Sequence, residues 1–411
     1  MQKINTVPLT KATLLFPLAL VLFEFSVYIG NDLVQPAMLA ITKDLGVSSA
    51  WAPSSMSFYL LGGACVAAVL GPMSDRLGRK KVLLAGVVFF VVTCLAILWA
   101  QTIQSFLLLR FLQGFGLSVI AAVGYAAIQE NFEERDAIKV MALMANISLL
   151  APLIGPVLGA MMIEHVSWHW GFIGIAFLAF LSWFGLKAKM PDTPVQAMKQ
   201  PLSHILSDFK EVLSNQRFLI LTLSMPLISM PLMLWIALSP VMLVENLGLT
   251  STQYGLAQFP VLGGLIAGNL VLLKLVDRWP LGLTVLRAVP LMLLGAIFIL
   301  LGMLFSEYFL VCLIVGMTLM SFGEGLSFSV LYRFALMSSD VSKGTVAAAV
   351  SILLMLSFFV VIEVVRTFYG MFELWAYSLS CLVLIALWFT LPRITLKHLM
   401  HERRESDSVS F

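Results

Sequence analysis

Residues 12–38 read ATLLFPLALVLFEFSVYIGNDLVQPAM. A bilayer crossing takes roughly 20 mostly apolar residues, and this stretch is long enough. It outruns the roughly 7–15 apolar residues of a signal peptide and lacks a small-residue cleavage site after it. It reads as a mature first membrane helix. Two acids, Glu24 and Asp32, sit inside it. At about 100° per residue, Glu24, Tyr28, Asn31 and Asp32 fall on one stripe and leave the rest apolar. A charge at the centre of a span costs about 2.5–3.5 kcal/mol on insertion scales and usually faces a water-filled cavity or a partner.

The rest of the chain has the same character. Of 411 residues, 60% are apolar and 11% charged, with a mean hydropathy of +0.98. Soluble domains run near 45–50% apolar and about 25% charged. A soluble enzyme, a disordered chain and a nucleic-acid binder are excluded, and a net charge of +3 is too small to suggest a polyanion partner. Apolar runs predict spans near 12–38, 50–72, 81–100, 104–130, 138–164, 168–187, 218–245, 252–275, 285–305, 308–334, 344–367 and 374–391. The expected fold is an all-α membrane protein, with twelve transmembrane helices in two six-helix bundles. The bundles are 1–187 and 218–392, joined by a linker at 188–217 with a surface helix near 203–214 and followed by a tail at 393–411.

Charge sets the orientation. With the N-terminus inside, 21 of the 25 lysines and arginines fall on the cytoplasmic side, including Arg76, Arg79, Lys80 and Lys81. Positive loops stay inside, so both termini are expected there. Trp51, Trp99, Trp168, Trp170 and Trp375 read as an outer interfacial belt. The loop with Asp75, Arg76 and Gly78 returns weakly at Asp277, Arg278 and Gly282, as expected of two parallel halves. Cys65, Cys94, Cys312 and Cys381 stand singly in apolar runs, without metal or disulfide spacing. His165, His169, His204, His398 and His401 fall in predicted loops or the tail. No metal site is expected.

Few other charges lie within spans. Arg110 stands at a depth similar to Asp32 and predicts a pairing with it, with Gln113 three residues on along the same face. Glu324 lies deep in span 10, flanked by glycines, with Ser327 or Ser329 as expected hydrogen-bond donors. Arg333 is expected at the inner interface. Glu363 and Arg366 are expected to form a local ion pair. In span 7, Pro226, Pro231 and Pro240 predict kinks, and Met230, Met233, Leu234, Trp235 and Ile236 predict a soft cavity wall.

Three motifs occur in order. GPMSDRLGRKK (Gly71 to Lys81) joins spans 2 and 3, with Gly71 and Gly78 expected in a tight turn and Asp75 placed against a helix N-terminus or a cation. RFLQG (Arg110 to Gly114) lies in span 4. APLIGPVLG (Ala151 to Gly159) lies in span 5, where Gly155 and Gly159 form a small-residue face and Pro152 and Pro156 bend the helix. On these motifs the chain resembles the major facilitator superfamily and, within it, the twelve-helix drug/proton antiporters. FEFSVYIGNDLVQPAML, RFLQG, VGYAAIQE and SKGTVAAAV narrow the resemblance to the MdfA-type multidrug transporters, nearest the CraA-type chloramphenicol exporters. It runs over essentially the whole chain.

The resemblance implies roles. Glu24 and Asp32 match the family's proton- and substrate-coupled acids, and Arg110 its motif arginine. Tyr28, Asn31, Gln113, Tyr125, Asn146, Met230, Leu234, Trp235, Ile236 and Glu324 would line the substrate cavity. Gly71, Asp75, Arg76, Gly78 and Arg79 would form the gating loop. Pro152, Gly155, Pro156 and Gly159 would be the antiporter motif. The loop at Asp277 departs from the pattern, and no gating role carries over to it. The implied activity is multidrug export by drug/proton antiport in the bacterial inner membrane. Phenicols would be substrates, with lipophilic cations and fluoroquinolones as further classes. The expected partners are drugs, protons and the lipid bilayer, with no nucleic acid and no cofactor beyond the proton gradient, in a monomer. A proton-coupled nutrient symporter of the same superfamily is the alternative, and the span 5 motif argues against it. A channel lacks a filter-like sequence, and an enzyme lacks a nucleophile or metal constellation.

Overall fold

A computed structural model describes residues 9–10, 13–192 and 202–390. The central part of the expected linker and all of the tail, with His398 and His401, lie outside these residues. Every described element is a helix or a turn, as a bilayer requires of segments that must satisfy their own backbone. The first half contains α1 (Leu15–Asp32), α2 (Val34–Asp44), α3 (Ser54–Leu77) and α4 (Arg79–Ala96), then α5 (Ile103–Gln113), α6 (Phe115–Ser118), α7 (Tyr125–Asn131), α8 (Glu134–His165) and α9 (His169–Lys189). The second half contains α10 (Leu202–Ser214), α11 (Gln216–Ser239), α12 (Ser251–Leu275), α13 (Leu281–Leu304), α14 (Phe309–Leu336), α15 (Lys343–Phe372) and α16 (Leu374–Thr390). Among the described residues, ten helices are long and apolar enough to cross a membrane, and the Leu150–His165 part of α8 and α16 (Leu374–Thr390) are shorter apolar stretches. This is compatible with twelve spans.

Chain contacts divide the protein into Met1–Pro201 with Leu249–Gly255, and Leu202–Gly248 with Leu256–Phe411. In the first unit α1 packs on α8 and α9, and α3 on α5. In the second, α14 packs on α11 and α13, and α11 also on α15 and α16. Helix α10 belongs to the second unit rather than to a separate linker.

Local sequence explains the ends. Thr102 and Ser105 form a reciprocal cap at α5, which satisfies donors that a helix start leaves open. Asn215 caps α11 through the Phe218 amide, at 3.1 Å. In the first turn of α8, Asp136 accepts from the Leu9 amide and the Lys139 ammonium, both 2.7 Å away. The Leu9 bond and then Lys139 hold its carboxyl below the usual carboxylate range. Gly78, at φ +93°, makes the α3–α4 turn in a conformation that side chains rarely adopt. Gly71 has no part in it: it lies inside α3, where an added Cβ would meet nothing within 4 Å.

The two halves repeat one packing device. A Cβ on Gly62 would overlap the Phe111 carbonyl, and one on Gly114 the Tyr59 carbonyl. In the second unit, Gly268 meets the Phe322 carbonyl and Gly325 the Leu265 carbonyl in the same way. The glycine of RFLQG is therefore there to let α5 touch α3, as small residues do between membrane helices. Gln113–Gly114 and Glu324–Gly325 occupy matching places in the two crossings.

The tryptophans of the expected outer belt differ in exposure. Trp99, Trp170 and Trp375 are exposed. Trp168 is not part of it. It is buried against Phe106 and Phe172, and its indole N–H donates to Asp44 at 2.8 Å. His165 and His169 are helix-end residues of α8 and α9 rather than loop residues.

Candidate functional site

The first span is two helices, α1 and α2, that adjoin at Leu33. Pro36 supplies no N–H to the Asp32 carbonyl, so the ladder is interrupted there. Side chains from neighbouring helices reach into this region. The Tyr59 hydroxyl donates to the Val27 carbonyl at 2.8 Å, and Arg110 Nη1 donates to the Gly30 carbonyl at 3.1 Å.

Arg110 is fully buried on α5. Its Nε donates to Ser55 Oγ at 3.0 Å, Nη1 also to Gln113 Oε1 at 2.8 Å, and Nη2 to Asn31 Oδ1 at 3.2 Å. The guanidinium lies 4.5 Å over the Tyr59 ring. Gln113 in turn donates to the Thr93 carbonyl at 3.2 Å. The expected pairing of Arg110 with Asp32 is not a direct ion pair. Asn31 stands between them, accepting from Arg110 and donating from Nδ2 to Asp32 Oδ1 at 3.1 Å. Four of the five N–H donors of the planar fork go to neutral acceptors, so charge attraction to Asp32 acts at one remove.

Glu24 is buried on the same helix and accepts from the Tyr125 hydroxyl at 3.2 Å. Tyr125 opens α7 directly after a π-helical stretch, Val119–Gly124. Such insertions rotate the next turn of helix and recur at functional sites. Tyr28 is half-buried and Asn31 buried on α1, while Asn146 on α8 is exposed.

The small-residue face of α8 meets the break in span 1. A Cβ on Gly155 would stand 2.7 Å from Asp32 Cβ, and one on Gly159 would stand 2.7 Å from Pro36 Cγ and overlap the Leu33 carbonyl. The helix continues unbroken through Pro152 and Pro156.

In the second unit, Met230, Leu234, Trp235 and Ile236 are all buried. Trp235 Nε1 is tied to Gln258 Oε1 at 2.7 Å. Helix α11 runs through Pro226 and Pro231 and turns π-helical only at Pro240. Glu324 is buried and its Oε2 has no hydrogen-bond partner among the described residues. Neither serine serves it as expected: Ser327 Oγ is itself buried and unpartnered, and Ser329 is exposed. Ser321 Oγ, one turn before Glu324, is likewise unpartnered.

These features are those of a helical transporter, and the profile of the Major Facilitator Superfamily matches residues 20–362. The chain belongs to the major facilitator superfamily. Over 99% of its length it is 67% identical to the Chloramphenicol resistance protein CraA of Acinetobacter baumannii, covering 98% of that protein. It is 46% identical to the Multidrug transporter MdfA of Escherichia coli O157:H7, with 95% of each chain covered. The crystal structure of a D-xylose-proton symporter shares the fold, with a TM-score of 0.69 at 16% identity, covering 92% of this chain and 97% of that one. The protein is thus a multi-pass membrane transporter of small molecules.

The loop motif of this superfamily member forms a charge cluster. Arg79 pairs with Asp75 at 2.6 Å and with Glu130 at 2.7 Å, and also reaches Ser74. Arg76 is exposed. The sequence shows Glu130 only as the end of VGYAAIQE and gives no sign of its pairing, because 51 residues separate the partners. In the second half, Arg287 instead stacks 4.5 Å over Trp279. Glu363 and Arg366 pair at 3.0 Å as expected, and Arg333 is exposed. In a double-mutant cycle, Arg79→Gln and Glu130→Gln are expected to be non-additive by about 1 kcal/mol, the scale of a solvent-accessible pair. Thermal unfolding of the four variants in detergent measures this, and strict additivity would mean the pair contributes nothing.

Proposed function

We propose that the protein exports drugs in exchange for protons across the bacterial inner membrane, as a monomer with both termini cytoplasmic. Chloramphenicol-like phenicols are its first substrate class, with lipophilic cations and fluoroquinolones beside them. The observation that carries this reading is the pair of buried acids on α1, with Asp32 held between the Arg110 network and the glycines of α8. Close similarity to proteins named for chloramphenicol resistance and multidrug transport supports it.

Protonation of Asp32 removes the charge that Asn31 holds, and frees Asn31 to reorganise around Arg110. Protonation of Glu24 changes its bond with Tyr125. A cationic drug competes directly for a carboxylate, whereas a neutral drug acts through these rearrangements. Glu324 is a further polar contact for substrate in the second half. No cofactor takes part, and the proton gradient is the energy source. Each elementary charge crossing 100 mV carries about 2.3 kcal/mol. Exchange of a neutral phenicol for one proton therefore draws on the membrane potential, while exchange of a monovalent cation for one proton draws on the pH gradient alone.

The test is transport in proteoliposomes with an imposed pH gradient, using chloramphenicol, a lipophilic cation and a fluoroquinolone. Drug is expected to move against the proton flow in the wild type, and Glu24→Gln and Asp32→Asn are each expected to lose coupling. Full coupling in both single variants and in the double variant would sink the assignment. Movement of substrate with the proton would establish symport instead.

A further inference from the structure

The Arg110 network continues past Asp32 toward the start of α3, and two buried atoms beside it have no partner among the described residues. Gln35 lies on α2, one turn beyond Asn31, and is fully buried. Its Nε2 donates to the Asn31 carbonyl at 3.4 Å, but nothing among the described residues bonds its Oε1. Ser54 opens α3, directly before the Ser55 that accepts from Arg110. Its hydroxyl is also fully buried and unpartnered. Buried polar groups are almost always satisfied, and where protein offers nothing an ordered water does so.

We propose that Gln35 Oε1 and Ser54 Oγ hold ordered water, and that this water connects the outer face to the Asp32 carboxylate. The proposal rests on the antiport reading and on the orientation set by the basic loops, which place the end of α2 and the start of α3 toward the outside. The ionisable groups facing Tyr59 and Arg110, the charged and aromatic side chains next in this network, are Tyr28 and Asp32 on α1 and Cys94 on α4. Asp32 is the one carboxylate among them. A proton entering at the outer end passes from one water to the next, each water accepting one proton and releasing another. It ends on an Asp32 oxygen, and no water is consumed. The residue types suit the task. An amide oxygen fixes a water by accepting from it, and a hydroxyl both donates and accepts, so it can turn as the proton passes. Gln35 and Ser54 are positioning residues for protonation, with no contact to the drug required.

The experiment compares two modes in proteoliposomes with the wild type, Gln35→Met, Ser54→Ala and the double variant. Drug export driven by a pH gradient requires proton entry, whereas drug–drug exchange without a gradient does not. Driven export in the double variant is expected to fall about tenfold, the factor associated with roughly one lost hydrogen bond, with exchange unchanged. Driven export at the wild-type rate overturns the proposal. A high-resolution structure of the wild-type protein supplies an independent readout should a variant fail to fold. Ordered water within hydrogen-bond distance of Gln35 Oε1 and of Ser54 Oγ is expected, and dry atoms overturn it. A wild type without proton-driven drug movement would instead remove the antiport reading, and the two failures are thereby separable.

Discussion

Arg110→Ala is expected to abolish drug export and to lower the stability of the first unit by about 3–5 kcal/mol, the usual scale for breaking a buried charged network. The guanidinium is fully buried, serves four acceptors on three helices and covers the Tyr59 ring. Alanine strips partners from the Gly30 carbonyl, Asn31, Ser55 and Gln113 together. Each buried group left bare costs about 1–3 kcal/mol. Asp32 loses its nearest positive charge, and Asn31 loses the bond that orients its amide toward it. Arg110→Lys separates the two effects, because lysine keeps the charge but cannot reproduce a planar fork. It is expected to recover part of the thermal stability while export stays impaired. Unfolding in detergent and transport in proteoliposomes measure both. An alanine variant with wild-type melting and export would reduce the network to an accessory of packing.

Gly114→Ala is expected to destabilise by about 1–3 kcal/mol or more, the range for overpacking a dense interior. The added methyl would overlap the Tyr59 carbonyl of α3, and a backbone atom cannot swing aside as a flexible side chain does. The two helices must separate, and Arg110, one turn earlier, moves with them. The comparison is Gly71→Ala. A Cβ there meets nothing within 4 Å, and the residue is inside α3. Alanine at a compatible helical site is expected to be stabilising by about 0.5–1 kcal/mol. Thermal unfolding of both variants decides the matter. A large loss at Gly71 would restore the turn role that its place in the loop motif suggested. A neutral Gly114→Ala would mean that α3 and α5 do not touch at that point.

The contrast between these glycines shows how far the motifs could be read. GPMSDRLGRKK marks an inter-helix turn, and Gly78 makes it, but the string does not reveal that Gly71 lies inside the helix before it. RFLQG marks span 4 without revealing that its glycine exists for Tyr59 and its arginine for Gly30, Asn31 and Ser55. APLIGPVLG marks a close-packed face, and the partner across it, the Asp32–Leu33 break, comes from the beginning of the chain. Glu130, Gln258 and Gln35 left no local signal, because a polar residue near a helix end or in a span looks the same in sequence whether or not another helix meets it.

Hydropathy and charge belong to each residue where it stands, so their order along the chain was enough for the membrane-spanning helical class and the chief buried charges, while the resemblance to the superfamily came from three local motifs. Which of those charges touch was decided by the tertiary structure alone. Arg110 reaches the neighbours of Asp32, yet Asn31 separates the two charges, since a side chain's direction depends on the rotation and crossing of the helix that carries it. The same rotation buries Trp235 against Gln258 and leaves Glu324 without a serine partner. Depth in the bilayer comes from counting residues, and contact comes from the close packing of helices whose faces the count does not assign.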